Sequence, residues 1–138
     1  MNMKVKLDDW AYMPERAHAT DAGADIKAPV DIEVQAGKWA IVYTGVHIEL
    51  PPHTVGMLKS KSGLNVKHHI VSEGVIDEGY TGEIVVKLYN HGDDNVRLAR
   101  GSKITQLVVL PVEYPEFELV DEISGGERGD NGFGSSGR

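Results

Sequence analysis

The sequence predicts an all-β protein, a sandwich or barrel with one short helix, and three features carry that expectation. Apolar and polar residues alternate over short runs. β-Branched and aromatic side chains fill those runs, and Gly, Pro or Asn-Asp punctuation separates them. The length of 138 residues fits one domain with its own core. Hydrophobic residues at 41% and charged residues at 25% sit near the soluble globular average, which excludes global disorder.

Taken in order, Val5 and Leu7 alternate with lysines. Val30, Ile32 and Val34 alternate with Asp31, Glu33 and Gln35, and that run stops at Gly37. Residues 40–50 form a longer apolar stretch ended by Pro51 and Pro52. Val55, Met57 and Leu58 follow, then Ile70 and Val71, then residues 84–89, which are rich in β-branched and aromatic side chains. Val96 with Leu98, residues 104–112 and residues 117–120 complete the series. Residues 62–67 are predicted as the one helix, opened by the Ser62-Gly63 pair. Trp10, Trp39 and Met57 are read as core or subunit-interface residues. No internal repeat is present.

Charge and composition narrow the function. A net charge of −7 argues against a broad basic surface for polymeric nucleic acid, although a small anionic ligand needs only local cations. The chain has no cysteine, so disulfides and thiolate metal ligands are excluded. His47, His68 and His69 have no spacing that resembles a zinc ligand set. The N-terminal residues lack an apolar signal core and no run approaches membrane-spanning length, so a cytoplasmic location is the default expectation.

Residues 74–90, GVIDEGYTGEIVVKLYN, join a tight turn to a strand. Asp77 precedes Glu78, Tyr80 follows, and Gly79 and Gly82 flank the aromatic ring. A carboxylate and a ring at a strand rim suit chemistry on a flat, ring-bearing substrate; a solvated turn beside a packing residue is the plainer alternative. Residues 124–138, SGGERGDNGFGSSGR, hold six glycines in fifteen residues. Such a segment cannot bury enough surface to fold alone. Glycine backbone, the hydroxyls of Ser135 and Ser136, the guanidinium of Arg128 and the ring of Phe133 together make the composition of a phosphate-and-base lid, while a loose tail stays open as the alternative. The Arg128-Gly129-Asp130 tripeptide is too short to signify adhesion.

Three further stretches carry candidate ligand groups. Asp21 and Asp25 flank Gly23 ahead of a strand; Asp21 suits a turn, and a carboxylate here could orient waters around a phosphate-bound Mg²⁺. Lys61 beside Ser62 and Gly63 offers a cation and a hydroxyl where a helix begins, either as a phosphate site or as an ordinary cap. Gln106 is an amide in an otherwise apolar strand, either a satisfied core group or a ligand contact at the sheet rim.

Together these stretches resemble the trimeric dUTPase family, the deoxyuridine triphosphate nucleotidohydrolases, whose five motifs appear in order. They are Ala19-Thr20-Asp21-Ala22-Gly23-Ala24-Asp25-Ile26, Lys61-Ser62-Gly63-Leu64, Gly74-Val75-Ile76-Asp77 with Tyr80, Gly82 and Glu83, Gly101-Ser102-Lys103-Ile104 with Gln106-Leu107, and Arg128-Gly129 with Gly132-Phe133-Gly134-Ser135-Ser136-Gly137. The resemblance implies a jelly-roll-like, distorted β-barrel of the β-clip type, with residues 1–123 as the β domain and residues 124–138 as a flexible lid. It implies a homotrimer with active sites between subunits, and Mg²⁺-dependent hydrolysis of dUTP to dUMP and pyrophosphate. That reaction limits uracil incorporation into DNA and supplies dUMP for thymidylate synthesis.

By the same resemblance, Asp77 would activate the attacking water, Tyr80 would pack under the deoxyribose, and Gly74, Val75 and Ile76 would read uracil with main-chain groups. Lys61, Ser62, Gly63 and Gln106 would hold the phosphates, and Asp25 would contact the Mg²⁺ through water. Arg128, Gly134, Ser135 and Ser136 would clamp the γ-phosphate while Phe133 stacks on the base. The chain departs from the family pattern at Lys61, where arginine is usual, at Glu73, and at Glu78-Gly79, which replaces Ser-Asp and predicts a more flexible turn. A dCTP deaminase of the same fold and a dUTP-responsive regulatory binding protein are the alternative functions.

Overall fold

The alternating runs form nine strands and one helix in the computed structural model, which describes residues 1–132 and 134. The strands are β1 (Lys4–Leu7), β2 (Gly23–Lys27), β3 (Ile32–Val34), β4 (Trp39–Glu49), β5 (Thr54–Lys59), β6 (Ile70–Ile76), β7 (Glu83–Asn90), β8 (Val96–Leu98) and β9 (Lys103–Pro111), with α1 (Ser62–His68) between β5 and β6. Seven strands make one sheet in the order β1-β4-β7-β6-β5-β9-β2, and β3 pairs with β8 separately. All ladders are antiparallel. The sheet curls into a half-barrel around its core, the all-β, jelly-roll-like architecture expected from the sequence.

Side-chain alternation explains which face is buried. In β4, Val42, Thr44, Val46 and Ile48 point inward, and in β7 Ile84, Val86 and Leu88 do the same. They pack with Ile26, Val34, Leu58, Ile70, Ile104 and Leu107, each contributing about 1.5–3 kcal/mol through burial. Polar groups at the core are satisfied. Thr44 donates to the Ile84 carbonyl at 2.6 Å, and the Asn90 amide donates to the carbonyls of Val34 and Asp94 at 2.9 and 2.8 Å, tying β7 to β3. Gly45, with φ 70°, occupies the irregularity between Tyr43 and His47 where β4 shifts register against β7. A Cβ there would lie 2.9 Å from both Trp10 and Ala11.

Some expectations change. Residues 117–120 form no strand, and Phe117 and Leu119 are 96% and 99% exposed. Their alternation suits a strand, but no ladder among the described residues receives them, and an unpaired strand does not stand alone in water. Of the two readings given to Trp10 and Trp39, core and subunit interface, the core one does not hold, since Trp39 is 57% exposed. Asp25 lies inside β2 instead of in a turn before it, and Gly74 to Ile76 belong to β6, so the turn begins at Asp77.

Candidate active site

The catalytic candidates gather where β6 changes partner. Ile70 to Ser72 pair with β7, whereas Glu73 to Ile76 pair with β5, as Lys59↔Glu73 through Gly56↔Ile76. Over the same interval β7 follows β4. The two strands of the β6–β7 hairpin therefore separate beyond Ser72 and Leu88, leaving a cleft of about 260 Å³ between them. Gly74, Val75, Ile76, Asp77, Tyr80 and Glu83 line it. The β6 edge facing β7 has no ladder partner there, so main-chain groups of Gly74 to Ile76 face the cleft.

The turn itself closes with Tyr80 N–H donating to the Asp77 carbonyl at 3.0 Å. The Tyr80 hydroxyl donates to the Glu83 carbonyl at 2.7 Å, and its ring crosses Gly82 so closely that a Cβ there would lie 2.6 Å from Cζ. Glu83 in turn accepts the Gly45 N–H at 2.8 Å, which locks the hairpin to the β4 irregularity. Asp77 is exposed at the mouth, and among the described residues its carboxylate accepts no hydrogen bond. Its neighbour is different. Glu78 Oε1 accepts the His53 N–H at 2.6 Å and the Tyr114 hydroxyl at 2.9 Å. These bonds, the His53 N–H foremost, hold the Glu78 carboxyl below its ordinary value and push the Tyr114 hydroxyl up. Glu78, expected with Gly79 to loosen the turn, has its carboxylate bonded to two other segments of the chain.

A second set of groups forms a row across four strands. Asp25 of β2 lies opposite Gln106 of β9, which lies opposite Lys59 of β5, which lies opposite Glu73 of β6. Asp25 is 3% exposed, with Lys61 Nζ 2.5 Å from one oxygen and Lys103 Nζ 3.2 Å from the other. Burial raises its pKa, but the bonds and charges of Lys61 and Lys103 outweigh burial and leave it below 3.8. Two lysines against one carboxylate leave a local positive excess. Gln106 donates to the Ser60 carbonyl at 2.9 Å and passes over Gly23, where a Cβ would fall 2.1 Å from Oε1. Ser60 accepts the Ser72 N–H at 3.0 Å, the Ser72 and Thr105 hydroxyls meet at 2.7 Å, and Thr105 donates to the Lys59 carbonyl at 3.0 Å. This network fixes the strand end from which Lys61 and the exposed Ser62 and Gly63 project at the start of α1.

Asp21 serves a turn, accepting the His18 N–H at 3.0 Å. Arg128 lies in a turn closed by Gly129 N–H to the Gly126 carbonyl at 3.2 Å, and Gly134 has φ 92°. Phe133, Ser135 and Ser136 lie outside the described residues. Sequence reasoning gave no role to Lys103 or Glu83, and did not foresee the Glu78 contacts. A lysine or glutamate on a strand rim carries no local signal of its partner; only the register does.

The two sets do not meet within one chain. Asp77 lies four residues beyond Glu73, about 13 Å from the row at about 3.3 Å per strand residue, and Lys61 and Ser62 follow Lys59 at the opposite end of β5.

Known proteins share both sequence and architecture with this chain. The family model for dUTPase matches residues 9–137. The deoxyuridine 5'-triphosphate nucleotidohydrolase of Gloeothece citriformis is 45% identical over 99% of this chain and 97% of its own, and that of Clostridium acetobutylicum is 43% identical over the same shares. Among solved structures, a Staphylococcus bacteriophage 80alpha dUTPase mutant with dUpNHpp superposes with a TM-score of 0.92 at 34% identity, covering 99% of each chain. A phage phi11 dUTPase mutant, described as revealing the coordination of a structural Mg(II) ion, gives a TM-score of 0.81 at 29% identity, covering 88% of this chain and 98% of that one.

Proposed function

The chain belongs to the dUTPase family and hydrolyses dUTP to dUMP and pyrophosphate, and we propose that Asp77 is the carboxylate that activates the attacking water. The observation that carries this assignment is an exposed carboxylate, without an internal partner among the described residues, at the mouth of a cleft lined by main-chain groups. A general base must be within hydrogen-bond reach of the proton it takes, and a carboxylate already held by cations would be a weaker acceptor. Asp77 is available; Asp25 is not.

In this reading the free edge of Gly74, Val75 and Ile76 reads uracil. A main-chain N–H aimed at O4 and a carbonyl aimed at N3–H leave groups unpaired against cytosine, whose edge reverses the pattern. Tyr80, fixed by Gly82 and by its bond to Glu83, forms the platform under the deoxyribose and excludes a 2′-hydroxyl by contact. Lys61, Ser62, Gly63 and Gln106 hold the phosphates. Arg128, Gly134, Ser135 and Ser136 close over the γ-phosphate while Phe133 stacks on the base, a contact on the order of 1–3 kcal/mol.

Among the described residues no group of three or more histidine and acidic side chains could hold a metal. The ion is proposed to arrive on the triphosphate, because Mg²⁺ keeps several waters and binds through one or two carboxylates plus phosphates. Asp25 would touch that water shell through its remaining lone pairs. Bound Mg²⁺ supplies charge neutralisation on the phosphates.

The homotrimer belongs to the same proposal. Separation of Asp77 from the Lys61–Gln106 row supports a site assembled from more than one copy. The outer face of β4 and β7, with Trp39, Ile41, Tyr43 and Val85 all exposed, supports an apolar contact between copies. No helix among the described residues is long and apolar enough to cross a membrane; a cytoplasmic setting goes with the nucleotide substrate.

The test is incubation with Mg²⁺ and dUTP, dCTP, dTTP or UTP, following pyrophosphate and ammonia. Pyrophosphate from dUTP alone is the expected result; ammonia from dCTP, or tight dUTP binding without turnover, overturns it. Mixing and refolding Asp77→Asn with Ser62→Ala chains should recover activity above either alone if the halves come from different copies.

A further inference from the structure

We propose that Glu78 is a positioning residue that holds the Asp77 turn at its working angle, by anchoring it to two other segments of the chain. The inference rests on the reading of Asp77 as the water-activating group. Adjacent carboxylates repel, and a glutamate next to an exposed aspartate would ordinarily turn into solvent. Here Glu78 turns instead to two donors, the His53 N–H and the Tyr114 hydroxyl, both on the same oxygen. Neither donor is there by chance of a single loop. His53 follows Pro51-Pro52 and has φ 58°, a conformation a non-glycine residue rarely adopts, and that conformation is held by Thr54 Oγ1 donating to the Pro51 carbonyl at 2.6 Å and by Val112 N–H donating to the His53 carbonyl at 2.9 Å. The Tyr114 ring packs against the His53 ring with centroids 5.5 Å apart. Three segments, the β4–β5 loop, the β6–β7 turn and the stretch after β9, therefore converge on one carboxylate oxygen.

The turn needs such a tie. Among the described residues nothing approaches within 4 Å of where a Cβ at Gly79 would stand, so their packing does not hold that corner. Its internal support is the Tyr80 N–H bond to the Asp77 carbonyl. Tyr80 and Glu83 brace the far side of the hairpin, and Glu78 braces the near side, one residue from the reacting carboxylate. Displacement of a catalytic group by about 1 Å can cost on the order of a hundredfold in rate.

Steady-state kinetics and thermal melts of the full-length enzyme with dUTP and Mg²⁺ test this. Glu78→Ala is expected to lower kcat about 10- to 100-fold with KM within about threefold and the melting temperature within a few degrees. Glu78→Gln, which keeps an acceptor for both donors, should recover to within about fivefold of the parent. Tyr114→Phe should lose about two- to fivefold, and adding it to Glu78→Ala should lower kcat no further, because the Tyr114 bond is already lost when the Glu78 carboxylate is gone. A normal kcat in Glu78→Ala, or a fall in stability with kcat unchanged, overturns the proposal. Asp77→Asn measured alongside separates the two claims. If it turns over normally, the assignment of Asp77 is what fails; if it is inactive while Glu78→Ala is unimpaired, only the positioning role fails.

Discussion

Asp77 and Asp25 are the same side chain used in opposite ways. Asp77 stands in solvent beyond the end of β6, with its carboxylate uncommitted among the described residues. Asp25 is buried in β2, and each of its oxygens meets a lysine. In the proposed reaction the first would take the proton; the second holds two lysines beside Gln106. A carboxylate's environment, more than its identity, decides whether it can act as a base.

Exchanging the charge of each residue for neutrality should separate those roles. Asp77→Asn should reduce turnover about 10²- to 10⁴-fold, with binding of a non-hydrolysable dUTP analogue retained and unfolding free energy changed by less than about 0.5 kcal/mol. Calorimetric binding and denaturant titration read both quantities; near-normal turnover would erase the contrast. Asp25→Ala should show the reverse weighting, losing about 1–3 kcal/mol of stability because Lys61 and Lys103 are left facing each other, a loss moderated by their partial exposure. Urea unfolding measures it, and an unchanged midpoint would mean the ion pairs are dispensable.

A smaller effect should follow from Gly82→Ala. The added methyl collides with the Tyr80 ring, so if that ring is the proposed sugar platform, discrimination of dUTP from UTP should fall about tenfold, read as the ratio of kcat/KM values. The smallest is a pH effect. The pKa of Asp25 is depressed in the folded state, so its contribution to stability is present above 3.8 and is lost as pH falls through the lower folded value. Acid unfolding of the parent should therefore steepen below about pH 4, and Asp25→Asn should flatten that limb.

Much of this was legible along the chain. Alternation located β4, β7 and β9, because a strand's period of two is a local property; the helix lies where it was expected, but its N-cap is Lys61, with no side-chain cap bond from Ser62. The five motif stretches singled out Asp77, Tyr80, Lys61 and Gln106, and their roles rest on the proposal above. The alternation of residues 117–120 misled for the same reason: it records a strand's pattern and says nothing about whether a partner edge exists. No local pattern signals the bonds that tie Glu78 to His53 and Tyr114, because those partners lie 25 and 36 residues away in the chain.

By itself the sequence determined the all-β class, the order of the elements and the identity of the chemical groups, since these follow from local periodicity and composition. Tertiary structure alone decided how those groups are used. The change of partner along β6 opened the cleft, the four-strand register brought Lys61 and Lys103 to Asp25, and the meeting of three distant segments fixed Glu78. Hydrogen-bond ladders and ion pairs join residues by distance in space, and a linear pattern of side chains does not contain that distance.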